Sequence, residues 1–228
     1  MACGSSEVIT QRYFRDHIFD QYLPTRYGDQ LSVKRGQLHD YLGMEMDYST
    51  KGEVKIGMIK YLKKVEDKYP KPIIGTEKSP DGKHLFQVRK DTDPQKRYLE
   101  ETKAVKFHHV VAQLLFVSSR ARHGIHTTIS LLTSRVRKPD EDDWGKLVRC
   151  MKYLKGTNYM QITLTVDTMS VIKWWVDATH HTHMDCRGHT GDMMSIGKGA
   201  AVSYYGKHNI NKKKDRQNQI LLVLMKCL

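Results

Sequence analysis

Imidazole and thiol side chains are concentrated in one short stretch of this sequence. Four histidines and one cysteine lie within ten residues: His180, His181, His183, Cys186 and His189. Neutral imidazole and thiolate are ligands that Zn²⁺ prefers. Structural zinc motifs, however, place their ligands in spaced pairs that frame a loop, and the chain contains no C-x-x-C pair. We therefore favour exposed hairpin residues as the interpretation and keep a non-enzymatic zinc-binding module as an alternative.

A run of carboxylates is the second feature that could do chemistry. The run Asp140-Glu141-Asp142-Asp143 contains the only two consecutive aspartates in the chain. Neighbouring carboxylates are what a polymerase uses to hold its catalytic metal ions. This run, however, follows Pro139 and precedes a helical pattern, and acidic groups in a first turn suit the positive end of the helix dipole. We therefore predict that the pair starts a helix and is structural.

The charge of the chain points to a polyanionic partner. Lysine and arginine number 38 against 25 aspartates and glutamates, a net charge of +13. Such an excess is typical of proteins that bind nucleic acid, although it says nothing about the fold. A basic but otherwise ordinary surface is the alternative interpretation.

Length and composition limit the class of protein. The 228 residues allow one domain or two small ones, and a hydrophobic fraction of 39% argues against wholesale disorder. The N-terminus lacks the basic segment and apolar run of a signal peptide, and the longest apolar run, Ile220 to Met225, is far below the ~20 residues that span a bilayer. We expect an intracellular protein that is neither secreted nor inserted in a membrane, with its oligomeric state left open.

Hydrophobic spacing predicts the first elements that must position these groups. Spacings of four in residues 8–22 predict an amphipathic helix. Short strands are expected within residues 31–58, one of them over 41–46, with a turn at 49–52 between the later two. A short helix follows over about 58–68.

The rest of the chain divides into a helical part and a strand part. Four of the six prolines fall in residues 70–97, which predicts a linker or an extended, weakly structured segment. Helix signals dominate residues 97–157, and the buried stripe of the last helix is expected to be Trp144, Leu147, Val148, Met151 and Leu154. From residue 161 to 205 the period changes to two, which predicts one antiparallel group of strands with Asp177 at the end of a central strand.

Four strings carry a resemblance to a known family. They are HDYLGMEMDY at 39–48, TSRVRKPDEDDW at 133–144, KWWVDA at 173–178 and GHTGDMMSIGKG at 188–199. In this order and spacing they resemble the C-terminal part of the polyprotein of copia-type retrotransposons. In that family a reverse transcriptase palm is followed by a helical thumb and connection, and then by a ribonuclease H domain. The resemblance covers about residues 27–211.

The resemblance implies an α+β fold in which a helical thumb and connection segment is followed by an incomplete ribonuclease H-like antiparallel sheet. The implied domains are an unmatched N-terminal helix at 1–26, the end of the palm and start of the thumb at 27–75, a linker at 76–97, the helical thumb and connection at 98–160, and a truncated ribonuclease H-like domain at 161–228.

The resemblance also implies which chemistry is missing. The aromatic-x-Asp-Asp turn of the polymerase is absent from the chain, so we do not expect polymerisation. Asp177 resembles a ligand of the two Mg²⁺ ions of ribonuclease H, but one aspartate cannot hold two ions. The string 214–219 has glutamines where the family has glutamates, which we attribute to a frameshift in the gene. We therefore expect Asp177 to be an ancestral ligand that is non-functional alone, with no Mg²⁺ bound stably.

The implied partner is nucleic acid, as an RNA–DNA hybrid or a duplex. In the family the connection region lies along the template–primer duplex, and the basic residues that flank it here are Arg120, Arg122, Arg135, Arg137 and Lys138. Phosphate contact is one interpretation of these residues and solvated helix faces are the other. The expected function is that of a degenerate, inactive fragment with residual nonspecific nucleic-acid binding. A magnesium-dependent ribonuclease H and the zinc-binding module are the alternatives.

Overall fold

A computed structural model of the chain describes residues 36–69, 72–168, 171–179 and 187–207. The helix predicted at 8–22, the first predicted strand at 31–33 and the basic and apolar tail from residue 208 lie outside the described residues. All the elements below belong to one compact unit, Gln37–Leu228. They are helices and antiparallel sheets, so the α+β class is confirmed at this level.

The first sheet joins three strands near the start of this unit to a fourth about a hundred residues later. Within the described residues it contains β1 (Leu38–Tyr41), β2 (Met44–Asp47), β3 (Glu53–Gly57) and β4 (Ile162–Thr165), all antiparallel and in that order. In the register of the last pair, Val54 lies opposite Leu164. We predicted that strand β4 pairs with the strands that follow it in sequence, and this prediction was wrong. Strand β3 offers β4 an open edge, which local sequence cannot reveal.

The first hairpin corrects a second prediction. We expected one strand over 41–46, but the chain reverses at Leu42 and Gly43, whose φ angles are +50° and +78°. Positive φ at both central positions is the geometry of the tight turns that suit the twist of a hairpin, and glycine adopts it without strain. The predicted turn at 49–52 is present, with the amide of Glu53 donating to the carbonyl of Thr50 at 3.1 Å.

The described helices pack together around one hydrophobic core. They are α1 (Ile59–Asp67), α2 (Glu101–Ser118), α3 (His126–Arg135), which follows a 3₁₀ turn, and α4 (Glu141–Gly156). Their largest fully buried side chains include Phe107, Leu114, Ile125, Ile129, Leu132 and Leu147. The predicted stripe of α4 is largely confirmed: Leu147, Met151 and Leu154 are buried, whereas Trp144 and Val148 are partly exposed.

Residues 72–97 form a strap that runs along helix α4 in the opposite direction. We predicted an extended and weakly structured segment; the described part has no helix or strand, but it is firmly packed, with Ile73 and Leu85 buried. Its polar contacts to α4 follow one another in reverse order: Lys155 Nζ to the Ile73 carbonyl at 2.7 Å, Arg149 to Glu77 at 3.2 Å, Lys146 Nζ to the Gln87 carbonyl at 2.8 Å, and Asp142 to Arg89 at 2.6 Å.

The second sheet contains strands β5 (Lys173–Thr179), β6 (His189–Ser195) and β7 (Val202–Lys207). They are antiparallel, and β6 is the central strand among the described residues. The prediction that Asp177 ends a central strand was therefore wrong. Asp177 lies within β5, which is at the edge of this sheet as far as the described strands show, because the strand before it in sequence pairs with β3 instead.

The loop between β6 and β7 connects the two sheets. The amide of Thr165 donates to the carbonyl of Lys198 at 3.2 Å, and the amide of Asp167 donates to that of Ile196 at 3.1 Å. A Cβ atom added at Gly197 would lie 2.2 Å from the carbonyl oxygen of Thr165. Glycine is thus required for the backbones to approach, and the contact covers the outer edge of β4.

Candidate nucleic-acid interface and the position of Asp177

The five basic residues predicted to contact phosphate have different environments. Arg122 is 6% exposed, and its guanidinium donates to both the carbonyl and the hydroxyl of Thr157 at the end of helix α4. The same guanidinium lies 5.7 Å from the centre of the Tyr153 ring, and burial lowers its pKa. Arg122 therefore stabilises the helical core, since its donors are directed inward.

Arg135 contacts both of the acidic side chains that cap the start of helix α4. The Asp140 carboxylate accepts from the amide of Asp143 at 2.9 Å, while the Asp143 carboxylate accepts from the amide of Asp140 at 3.1 Å. This reciprocal pair is a capping box. Arg135 donates to Asp143 at 3.0 Å and lies 3.3 Å from Asp140. The prediction that the acidic run starts a helix is confirmed, and both carboxylates of the box are buried.

Arg120, Arg137 and Lys138 remain candidates for contact with phosphate. Arg137 and Lys138 are exposed at the end of helix α3, where Lys138 Nζ lies 4.3 Å from the centre of the Tyr98 ring. Arg120 is half-buried, and its guanidinium carbon lies 3.8 Å from the centre of the Phe116 ring. Its Nη1 donates to the Phe116 carbonyl at 3.4 Å and to the Ser119 hydroxyl at 3.3 Å. The remaining donors of the guanidinium have no partner among the described residues, so an anion could use them.

Helix α1 adds cations that sequence analysis did not select. Lys63, Lys64 and Lys68 are exposed, and none forms an ion pair with another residue that the structure describes. They lie on the face opposite the buried residues Leu62 and Val65. The sequence contains a signal that could have identified these lysines. The helix has basic residues on one face and apolar residues on the other.

Asp177 is exposed on β5, the outer strand on its side of the second sheet in the described part of the chain. Its register partner on β6 is Gly191, whereas Asp192 lies opposite Val176. Because successive side chains of a strand point to opposite faces, Asp177 and Asp192 are directed to different sides of the sheet. Among the described residues no three histidines, cysteines or acidic residues lie close enough to hold a metal ion. The described donors thus do not fit a two-magnesium site, and no catalytic step follows from them.

Three histidines lie where the second sheet packs on the helices. The ring centres of His126 and Tyr205 are 5.2 Å apart, and those of His189 and Phe86 are 5.6 Å apart. His123 Nδ1 lies 2.8 Å from the Ser203 hydroxyl and 3.0 Å from the Ser118 carbonyl. Burial lowers the pKa of both His123 and His126. The other members of the predicted zinc cluster, at 180–186, lie outside the described residues.

In comparisons with known proteins, no family model, no curated protein and no solved structure matches this chain. Within the described residues no helix is long and apolar enough to cross a membrane.

Proposed function

We propose that this chain is a degenerate fragment of a copia-type reverse transcriptase and ribonuclease H polyprotein that binds nucleic acid without a working active site. The four ordered strings that resemble the family support this origin. A helical thumb and connection at 98–160, followed by antiparallel strands after 161, agrees with the order of elements in the described residues.

The observation that carries the binding proposal is the division of the basic residues into two groups. Arg122 and Arg135 are used by the fold, whereas Arg137 and Lys138 are exposed and Arg120 is half-buried with only its Nη1 bound to the end of helix α2. With a net charge of +13, exposed cations of this kind release counterions when they contact phosphates. Nonspecific binding to RNA–DNA hybrid or duplex follows from such contacts, because phosphates carry no sequence information.

Salt dependence tests this function. Binding of a fluorescein-labelled 20-base-pair RNA–DNA hybrid is measured by anisotropy between 50 and 300 mM KCl. We expect the logarithm of the association constant to fall linearly with the logarithm of salt, by roughly 0.9 for each phosphate contacted. The double variant Arg137→Gln/Lys138→Gln should reduce that slope, while the charge-matched control Lys83→Gln/Lys90→Gln should reduce it less. Affinity that does not change with salt contradicts the proposal.

A magnesium-dependent ribonuclease H is the second candidate, favoured by the exposed position of Asp177 on an antiparallel sheet. The missing carboxylates would have to come from outside the described residues. Incubation of the hybrid with protein and 5 mM MgCl₂ distinguishes the candidates. We expect no cleavage; cleavage that Asp177→Asn abolishes establishes the enzyme instead. The zinc-binding module is tested by measuring the zinc content of the same preparation after dialysis. That function requires one equivalent of zinc per chain.

A further inference from the structure

We propose that helix α1 and the end of helix α2 form a binding surface for single-stranded nucleic acid. The surface, called here the α1–α2 platform, consists of Tyr61, Lys64, Lys68, Phe116 and Arg120. The proposal rests on the proposed nucleic-acid function and adds to it a contact surface beyond Arg137 and Lys138 and the form of the ligand.

The planar groups of the platform form a row across the two helices. The ring centres of Tyr61 and Phe116 are 5.4 Å apart, and the Arg120 guanidinium carbon lies 3.8 Å from the centre of the Phe116 ring. All three side chains are half-buried, so each is held in place by packing while part of it faces solvent. Unpaired bases stack on such aromatic rings and guanidinium planes.

The cations of the platform stand beside this row. Lys64 and Lys68 follow Tyr61 by three and seven residues and thus lie on the same side of helix α1. Lys63 follows Tyr61 by two residues and lies on the other side of the helix, so it does not belong to the platform. Lys60 does not belong to it either, because its ammonium is within 4 Å of both Asp40 and Glu45. Lys64 and Lys68 are exposed and available to the phosphates of a strand whose bases stack on the row.

Planar groups beside cations that form no ion pair with a described residue distinguish this surface from the basic side of helix α4. That helix carries Lys146, Arg149, Lys152 and Lys155 at intervals of three, and the strap accepts the charges or donors of all but Lys152. Lys152 has no ring contact among the described residues. A duplex keeps its bases stacked inside and can use only the lysines of the platform. A single strand can use both the lysines and the planar row, so it should bind more tightly.

The experiment compares two nucleic acids and two charge-matched variants of the full chain. Anisotropy is measured with a labelled 20-nucleotide single strand of mixed sequence and with the same strand annealed to its complement, at 100 mM KCl. The platform variant is Lys64→Gln/Lys68→Gln. Its control is Lys83→Gln/Lys90→Gln, which removes the same charge from exposed positions on the strap.

We expect the unaltered chain to bind the single strand about ten-fold more tightly than the duplex. The platform variant should lose at least ten-fold in single-strand affinity, and the control should lose about three-fold or less. Arg120→Lys keeps the charge but removes the planar group; it should weaken single-strand binding about three-fold without changing the salt slope. Unfolding midpoints of all variants show whether they remain folded.

Each contrary outcome has its own meaning. Equal losses in the platform and control variants overturn this surface while leaving nucleic-acid binding intact. Equal affinities for single strand and duplex overturn the preference for unpaired bases. Absence of binding to either nucleic acid overturns the proposed function itself. Binding of a polyglutamate peptide as tight as that of the single strand shows that the platform accepts acidic proteins instead.

Discussion

The Nε atom of Arg89 lies 2.6 Å from the Asp142 carboxylate, 53 residues further along the chain. This ion pair attaches the end of the strap to the first turn of helix α4, but both partners are well exposed to solvent. Exposed ion pairs contribute little because water screens them and two long side chains lose freedom. Burial of the strap's apolar residues should therefore dominate its attachment.

We predict that Leu85→Ala detaches the strap and Asp142→Asn does not. Leu85 is 5% exposed, so its truncation should lower the free energy of unfolding by about 2 kcal/mol. Asp142→Asn should leave the unfolding midpoint almost unchanged. Limited trypsin digestion provides the second measurement, since Lys78, Lys83 and Lys90 lie on the strap and should be cut faster only in Leu85→Ala. Faster cutting in Asp142→Asn alone would show that the ion pair holds the strap.

The capping box makes a prediction for the start of helix α4. Asp140→Ala removes the acceptor for the amide of Asp143 and one partner of Arg135, and should lower the free energy of unfolding by about 1–2 kcal/mol. Asp140→Ser keeps a capping oxygen and should recover part of that loss. The neighbouring exposed carboxylate in Glu141→Ala is the control. Urea unfolding followed by circular dichroism measures all three variants, and equal stability of Asp140→Ala and Asp140→Ser would contradict the capping role.

Substitution of Arg122 should affect folding stability, whereas substitution of Arg137 should affect nucleic-acid binding. Arg122→Gln leaves the half-buried Thr157 carbonyl without its donor, and should cost about 1–2 kcal/mol of folding free energy. Arg137→Gln changes an exposed side chain and should leave stability unchanged while reducing the salt dependence of hybrid binding. Thermal unfolding and anisotropy on the same preparations give both quantities. Strong loss of affinity by folded Arg122→Gln at low temperature would assign that residue to the interface instead.

Stability should fall in mild acid because of the buried histidines. Burial lowers the pKa of His123 and His126 below the ordinary value of 6.5, and the imidazole of His189 adds to the effect on His126. The unfolded chain therefore binds more protons than the folded chain near and below pH 6.5. Stability contributed by the neutral rings is present above that pH and is lost as the pH falls through it.

Urea unfolding at pH 7.5, 6.5 and 5.5 measures this effect. The double variant His123→Gln/His126→Gln should show a smaller loss of stability over this range than the unaltered chain. The variant His108→Gln/His109→Gln is the control, because both of these rings are exposed on helix α2. An unchanged pH dependence in the buried double variant would exclude these histidines as its cause.

Gly197 should be intolerant of any side chain. A Cβ atom there would meet the Thr165 carbonyl oxygen at 2.2 Å, so Gly197→Ala must push the β6–β7 loop away from strand β4. We expect faster hydrogen exchange at the amides of Thr165 and Asp167, which donate to this loop. Gly82→Ala, where the nearest atom is 4.0 Å away, is the control. Unchanged exchange in Gly197→Ala would mean that the loop does not protect these amides.

The local features of this protein could be predicted because each depends on residues close together in the chain. The acidic run after Pro139 starts a helix, since Asp140 and Asp143 are three residues apart and cap one another. Helix α1 and the core stripe of α4 follow from apolar spacings of three and four. The turn at 49–52 follows from its own residues, as does the period of two after residue 161.

Only the tertiary structure decided which strands pair and which cations are free. Strand β4 joins β3, more than a hundred residues earlier, because pairing depends on an open edge and not on the strand's own sequence. Among the strands that the structure describes, that choice leaves Asp177 at the edge of the second sheet. Arg122 and Arg137 look alike in sequence, yet one is covered by the end of helix α4 and the other faces solvent. Burial is set by what packs over a residue, and for these residues the packing partners are distant in the chain.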